Sequence, residues 1–292
     1  MARKLTAEAV TEGIDLTGST ALVTGVNSGI GTETMRVLAL RGARVLGTAR
    51  TLEKASAACD AVNGDTVPLA CELTDLDSVR ACAQAVREFG LETLDIVVAN
   101  AGIMALPELE QINGIEKQFA TNHLGHFLLV NELLPLIGKT RPARVVVVSS
   151  AAHAQAPKGG IEFDNLSGEA GYSGWRAYGQ SKLANVLFAN ELNRHLPDGS
   201  TANALHPGVI ATNLGRHMEG GFTRLLGLVM YPFMITVPQG AATSCYLAAH
   251  PDAEGMAGQY FANCKPARVS KAGQDAALGE RLWKVSAELV GL

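Results

Sequence analysis

The chain has 292 residues, 47% of them hydrophobic and 18% charged, which supplies a sizeable core and excludes a disordered chain. Its net charge is −4 with both signs mixed and no basic block, so nucleic-acid binding has no electrostatic support. Five cysteines (59, 71, 82, 245 and 264) show no metal-ligand spacing and read as reduced thiols; residues 1–6 lead into no apolar signal core, and the apolar run 225–237 is broken by Pro232 and too short to span a bilayer. A cytoplasmic protein without a transmembrane segment is expected.

Residues 1–18 are polar and mixed, and predict an arm with a short helix. Ala21-Leu22-Val23 reads as a buried strand that enters Thr24-Gly25-Val26-Asn27-Ser28-Gly29-Ile30-Gly31. A helical pattern follows, with Ile30, Val37 and Leu38 on one face, and ends near Gly42. Strand, glycine turn and helix form the first half of a dinucleotide-binding unit. The glycines let a phosphate approach the backbone, and the helix N-terminus offers amide donors and a favourable dipole. The spacing is G-x-x-x-G-x-G rather than G-x-G-x-x-G, and a glycine-rich turn without a ligand is the alternative. The candidate cofactor contacts here are Gly25, Asn27, Ser28, Gly29, Ile30 and Gly31.

Further strands are predicted at 45–48, 66–70, 94–99 and 144–148, with helices over 52–62, 76–89 and about 113–138. Apolar, β-branched runs separated by helices indicate a parallel sheet covered on both faces. Right-handed crossovers make it doubly wound, with ligands at the C-terminal ends of the strands. Ser149 and Ser150 follow the fifth strand and open a long connection over 151–173. The next helix, expected from 177 to 196, carries Tyr178 and Lys182 on one face, four residues apart. An ammonium beside a phenol favours the phenolate, which predicts a tyrosine pKa below its usual ~10 and a side chain able to give or take a proton. A sixth strand at 202–205 runs into His206-Pro207-Gly208. The segment 213–237 is rich in large apolar residues. A helix over 239–249, a seventh strand at 258–261 and a terminal helix over 277–289 complete the chain. The expected fold is α/β: one Rossmann-type domain over 19–292, a doubly wound parallel sheet of about seven strands with helices on both faces.

The motifs TGVNSGIG at 24–31, Asn100-Ala101-Gly102, Asn122 in Asn122-His123-Leu124-Gly125-His126-Phe127, Ser150, Tyr178-x-x-x-Lys182 and Pro207-Gly208 stand in the order found in the short-chain dehydrogenase/reductase family. The chain resembles that family from about 19 to 261. A closer likeness lies in Phe163-Asp164-Asn165-Leu166, Ser181-Lys182-Leu183-Ala184-Asn185, His206-Pro207-Gly208 and Arg281-Leu282-Trp283. These are similar to the retinol-dehydrogenase-like branch, which includes WW-domain oxidoreductases; no WW domain is present here.

The resemblance implies a nicotinamide oxidoreductase of the alcohol dehydrogenase or carbonyl reductase type. Tyr178 would be the general acid for carbonyl reduction and the base for alcohol oxidation. Lys182 would lower its pKa and hold the nicotinamide ribose. Ser150, with Ser149 as its competitor, would stabilise the substrate oxygen. Asn122 would hold a water linking Lys182 to solvent, or bridge a bulge in the long helix. Asn100, Ala101, Gly102, Pro207, Gly208, Val209 and Thr212 would also contact the cofactor. Glu72 and Leu73 would meet the adenine, although the family usually has Asp where Glu72 stands. After the second strand, Thr48-Ala49-Arg50 offers no carboxylate for an NAD ribose. Arg50 and Asn27 suit a 2′-phosphate, so NADP(H) is favoured over NAD(H); the alternative is that Arg50 stacks on the adenine and NAD binds too.

No metal is expected, because His123, His153 and His206 form no ligand set. Met104, His153, Trp175, Met218, Phe222 and Leu225 are the candidate substrate pocket. The segment 213–237 would be its lid, or else a dimer contact or core. A bulky hydrophobic carbonyl or alcohol is the expected substrate, and a homo-oligomer, dimer or tetramer, the expected assembly. The competing functions are an NADP(H)-binding protein of the same fold with little turnover and a light-dependent protochlorophyllide-type reductase.

Overall fold

The computed structural model describes residues 5–208 and 235–292. The chain opens on a one-turn helix, α1 (Ala7–Val10), capped by the Thr6 hydroxyl. Ala7 and Val10 are buried against Val37 and Ala241. Strands and helices then alternate: β1 (Thr20–Thr24), α2 (Gly29–Leu40), β2 (Arg44–Ala49), α3 (Leu52–Asp60), β3 (Thr66–Ala70), α4 (Leu76–Glu88) and β4 (Ile96–Ala99). β1, β2 and β4 are buried almost throughout, as the apolar runs of a sheet covered on both faces must be.

The next stretch departs from the expected single helix. A small hairpin, β5 (Gln111–Ile112) and β6 (Ile115–Glu116), comes first. Its two-residue turn is Asn113-Gly114, with φ of 50° and 78°. Both central residues take the left-handed conformation that such turns require, which Asn and Gly reach at least cost. The helix starts only at α5 (Lys117–Phe119), passes through a π turn (Ala120–Leu124) and resumes as α6 (Gly125–Leu133).

β7 (Arg144–Val148), α7 (Gly174–Leu192), β8 (Thr201–His206), α8 (Val237–Ala249), β9 (Tyr260–Ala262), β10 (Lys265–Pro266) and α9 (Ala276–Val290) follow. α7 begins three residues earlier than expected. Short 3-10 turns at Ala151–Gln155 and Phe163–Asn165 break up the long connection before it.

The strand order is β10-β9-β8-β7-β4-β1-β2-β3. β10 pairs antiparallel with β9 and is an eighth strand that the sequence pattern did not announce; the other pairings are parallel. Its turn is Asn263-Cys264, with φ of 51° and 59° and no glycine to signal it. Each outer strand carries a proline, Pro68 in β3 and Pro266 in β10. Proline cannot donate to a ladder and is confined to such positions.

Apolar layers cover both faces of the sheet. On one, Leu22, Val97, Val145 and Ala204 meet Phe119, Phe127, Leu128 and Phe188. α9 adds Trp283, 4.9 Å from Phe127 between ring centroids. On the other, Val23, Val45, Val98 and Phe261 meet Met35, Leu38 and Leu247. The order of connections reverses between β1 and β4, and a doubly wound sheet binds ligands in the crevice at that point. Among the described residues, no helix is long and apolar enough to cross a membrane, and no cluster of His, Cys, Asp and Glu could hold a metal ion.

Candidate active site

The glycine turn after β1 and Asn100-Ala101-Gly102 after β4 meet at this crevice. Thr24 joins them. Its Oγ1 accepts the N–H of Asn100 at 2.9 Å and of Ala101 at 3.0 Å, and its carbonyl accepts Asn100 Nδ2 at 2.8 Å. The backbone N–H groups of Gly25 and Val26 donate to Thr48 O, at 2.8 and 3.0 Å, and tie the turn to the end of β2. α2 starts hard against this turn, since a Cβ on Gly31 would fall 2.2 Å from Gly25 O.

The donor set fits a dinucleotide phosphate. Side chains of Thr51, Asp75 and Asp275 cap α3, α4 and α9. At α2 the N-cap, Ser28, makes no side-chain bond to the helix, and no acid stands in the first turn. The first amides of α2 are therefore open to an anion. Arg50 and Asn27 are both exposed, and Arg50 forms no ion pair with any described residue. Glu72 is turned into its own loop, where Oε1 accepts the N–H and hydroxyl of Thr74 at 3.2 and 2.9 Å. Leu73 is buried.

α7 brings Tyr178 and Lys182 to the ends of β7 and β8. Tyr178 is buried, and the Lys182 Nζ stands 5.8 Å from its ring centroid. The ammonium donates to Val148 O at 3.0 Å. Burial pulls the Lys182 pKa down to about 8. Burial pushes the Tyr178 pKa above its ordinary value, and a hydrogen bond with the Ser150 side chain only partly opposes this. The sequence expectation of a lowered tyrosine pKa is thus reversed. Burial strips the phenol of water, which disfavours its charged form.

The two serines diverge. The Ser149 hydroxyl is buried and donates to Lys182 O at 2.7 Å. Ser150 is extended and accepts the Ala152 N–H at 3.1 Å through Oγ. His153 stands behind it: Nδ1 donates to Ser150 O at 2.7 Å and Nε2 accepts the Ser270 N–H at 3.2 Å. Both ring nitrogens are occupied, so His153 braces the turn rather than offering a free polar group to a pocket.

Asn122 lies in the π turn and is fully buried. Its Oδ1 accepts the Ile103 N–H at 2.8 Å, and Nδ2 donates to Ile103 O at 3.0 Å and Ser181 Oγ at 2.9 Å. The side chain bridges the π turn, the end of β4 and α7. A Cβ on Gly102 would lie 2.8 Å from Asn122 Oδ1 and 3.4 Å from Lys182 Nζ, so Asn122 and Lys182 converge there.

His126 completes this framework and was not singled out from sequence. Its Nδ1 donates to Asn122 O at 3.0 Å, and Nε2 accepts the Thr24 hydroxyl at 2.8 Å. A carbonyl only accepts, which fixes this tautomer. The one legible signal was its position four residues after Asn122 in the same motif.

Met104 and Trp175 are the exposed apolar side chains nearest this chemistry in sequence, 39% and 51% exposed. Trp175 meets Tyr178 edge to face with centroids 6.1 Å apart. Pro207 and Gly208 follow β8, where His206 Nδ1 accepts the Gly208 N–H at 3.0 Å. Val209, Thr212, Met218, Phe222 and Leu225, with the expected lid up to 234, lie outside the described residues.

The short chain dehydrogenase family model matches residues 19–220. A short-chain dehydrogenase of Brassica napus, TIC 32 B, chloroplastic, is 40% identical, with 98% of this chain and 92% of the relative covered. Human retinol dehydrogenase 14 is 39% identical over 94% of this chain and 87% of its own. Among solved structures, an uncharacterised protein from Mycobacterium paratuberculosis superposes with a TM-score of 0.78 at 33% identity, covering 99% of this chain and 98% of that one. Use of NAD(P)(H) accompanies the family. With the crevice, the Thr24 junction and the Tyr178–Lys182 helix in place, the chain belongs to the short-chain dehydrogenase/reductase family of oxidoreductases, in its retinol-dehydrogenase-like branch.

Proposed function

We propose that the protein is an NADP(H)-dependent oxidoreductase that interconverts a bulky hydrophobic ketone or aldehyde and its alcohol. The observation that supports this most is the buried Tyr178 phenol, one helical turn from Lys182 on α7, with Lys182 held against the end of β7. A phenol kept protonated by burial is an acid ready to donate to a carbonyl oxygen as charge develops there. The Ser150 hydroxyl would donate to the same oxygen and share that charge. In the reverse direction Tyr178 takes the alcohol proton. Lys182 would hold the ribose hydroxyls from Gly102, with Asn122 keeping the end of β4 in place beneath it; an Asn122-held water would complete a proton path to solvent. The nicotinamide, when bound, supplies or takes the hydride.

Arg50 is the residue we assign to the 2′-phosphate, with Asn27 beside it, and Glu72 and Leu73 to the adenine side. The residues around 213–237 would cover a substrate and exclude water. Initial rates of NADPH oxidation with a panel of aryl and alicyclic carbonyls test the reading. Bound NADPH with no oxidation by any member would identify a binding protein with little turnover. Cofactor choice is tested by Arg50→Asp, which puts a like charge where the phosphate would sit. It should cut kcat/KM for NADPH at least about tenfold more than for NADH. An unchanged ratio of the two would remove Arg50 from phosphate recognition.

A further inference from the structure

One buried amide, Gln118, joins two segments that lead to the exposed apolar side chains of the site. Gln118 is fully buried. Its Oε1 accepts the Ala105 N–H at 2.6 Å. Its Nε2 donates toward Glu116 Oε1 at 3.1 Å, the Tyr172 hydroxyl oxygen at 3.2 Å and Gly174 O at 3.1 Å. Tyr172 in turn donates to Leu106 O at 2.8 Å. The segments around 105 and 174 are in backbone contact: a Cβ on Gly174 would lie 2.2 Å from Leu106 O. Ala105 has a φ of 48°, where alanine is strained. Such a conformer persists only when its surroundings over-determine it, and the bonds to Gln118 and Tyr172 on either side of Ala105 do so.

Met104 immediately precedes Ala105, and Trp175 immediately follows Gly174. Gln118 thus fixes, from behind, the backbone of both exposed side chains, one of which lies edge-on to Tyr178. We propose that Gln118 is a positioning residue for substrate selection, holding Met104 and Trp175 as one rigid apolar wall beside the reacting phenol. The inference rests on the carbonyl-reductase reading above. A wall that is already ordered lets a bulky substrate bury apolar surface without first immobilising it. A small ketone, held only at its oxygen, does not reach the wall. Releasing the wall therefore raises KM for large substrates and spares small ones, whereas general damage to the fold would lower kcat/KM for both alike.

The test uses Gln118→Leu, the milder Tyr172→Phe, and Trp175→Ala as the control for the wall. Kinetics are read with a bicyclic aryl ketone and with butanone. The chain has two tryptophans, so Trp283→Phe leaves Trp175 as the only indole and its fluorescence anisotropy reports the rigidity of the wall. In both Gln118→Leu and Tyr172→Phe, KM for the bicyclic ketone should rise about fivefold or more, kcat/KM for butanone should stay within about twofold, and Trp175 anisotropy should fall. If Gln118→Leu does not fold, Tyr172→Phe carries the same expectations. If Trp175→Ala raises the bicyclic KM while the other two variants change neither KM nor anisotropy, the role of Gln118 is overturned and the substrate reading stands. If Trp175→Ala leaves the bicyclic KM unchanged, the wall itself is refuted, and the inference with it.

Discussion

Tyr178→Phe should bind NADPH as the parent does and lose turnover by roughly 10²–10⁴-fold, the range expected when a positioned acid is removed. The substitution deletes one oxygen from a side chain that is otherwise packed as a ring, so the fold has little reason to respond. Tyr178 is buried, and its ring keeps its contact with Trp175 whether or not it carries the hydroxyl. The loss should fall on kcat, because the proton is needed only as the substrate oxygen gains charge. Lys182→Met is the contrasting case. It should weaken cofactor binding as well as turnover, and it also leaves Val148 O without its 3.0 Å donor. Binding is read by NADPH fluorescence titration and turnover by single-turnover absorbance. A Tyr178→Phe enzyme with parental rates would end the proposed chemistry.

Acid should unfold this protein through its core histidines. His123 and His126 are buried in the helix that carries Asn122. Burial penalises the charged ring and pulls their pKa values from 6.5 down to about 3 and about 4. The unfolded chain takes up these two protons near 6.5, while the folded chain refuses them until well below. In that window the unfolded state binds more protons, so stability is present above 6.5 and is lost as pH falls. At ~1.4 kcal/mol per pH unit for each ring, the loss between about pH 7.5 and about pH 4.5 is on the order of 5 kcal/mol. Typical domains hold about 5–15 kcal/mol in all, so the loss is large. Urea unfolding midpoints across that range measure it. His123→Phe keeps an aromatic ring among Phe119, Phe127 and Phe188 but cannot titrate, and should lower the acid slope by about one proton. An identical slope in parent and variant would exclude His123 as a cause.

The central sheet was legible because its strands are short apolar runs, and burial on both faces leaves no competing pattern. The elements that escaped are those whose reason lies in two or three residues. Asn113-Gly114 is a hairpin signal, but it sits where a helical period already runs on toward Phe127. Asn263-Cys264 makes the same kind of turn with no glycine to mark it. The π turn is the exception: the sequence offers a bulge in the long helix bridged by Asn122, and Asn122 there bonds Ile103 and Ser181. The tyrosine pKa escaped as well. Spacing on a helix places Lys182 near Tyr178, but only the folded chain shows how deeply the phenol is buried. Gln118 carries no signal in sequence at all, since its partners are backbone groups of two loops and the side chains of Glu116 and Tyr172.

The two prolines at the margins of the sheet bear on how copies of this chain could meet. A growing assembly by strand addition needs a row of unpaired N–H and C=O groups on an outer strand. On one side that row would be β3, where Pro68 removes a donor at its centre. On the other it would be β10, which is two residues long and consists of Lys265 and Pro266, a cation and a missing donor. Both margins are thus closed to templated pairing, a safeguard against edge-to-edge aggregation during folding, when the long parallel sheet is slow to form. Among the described residues, neither outer strand offers an unbroken row of donors by which a second copy could extend the sheet.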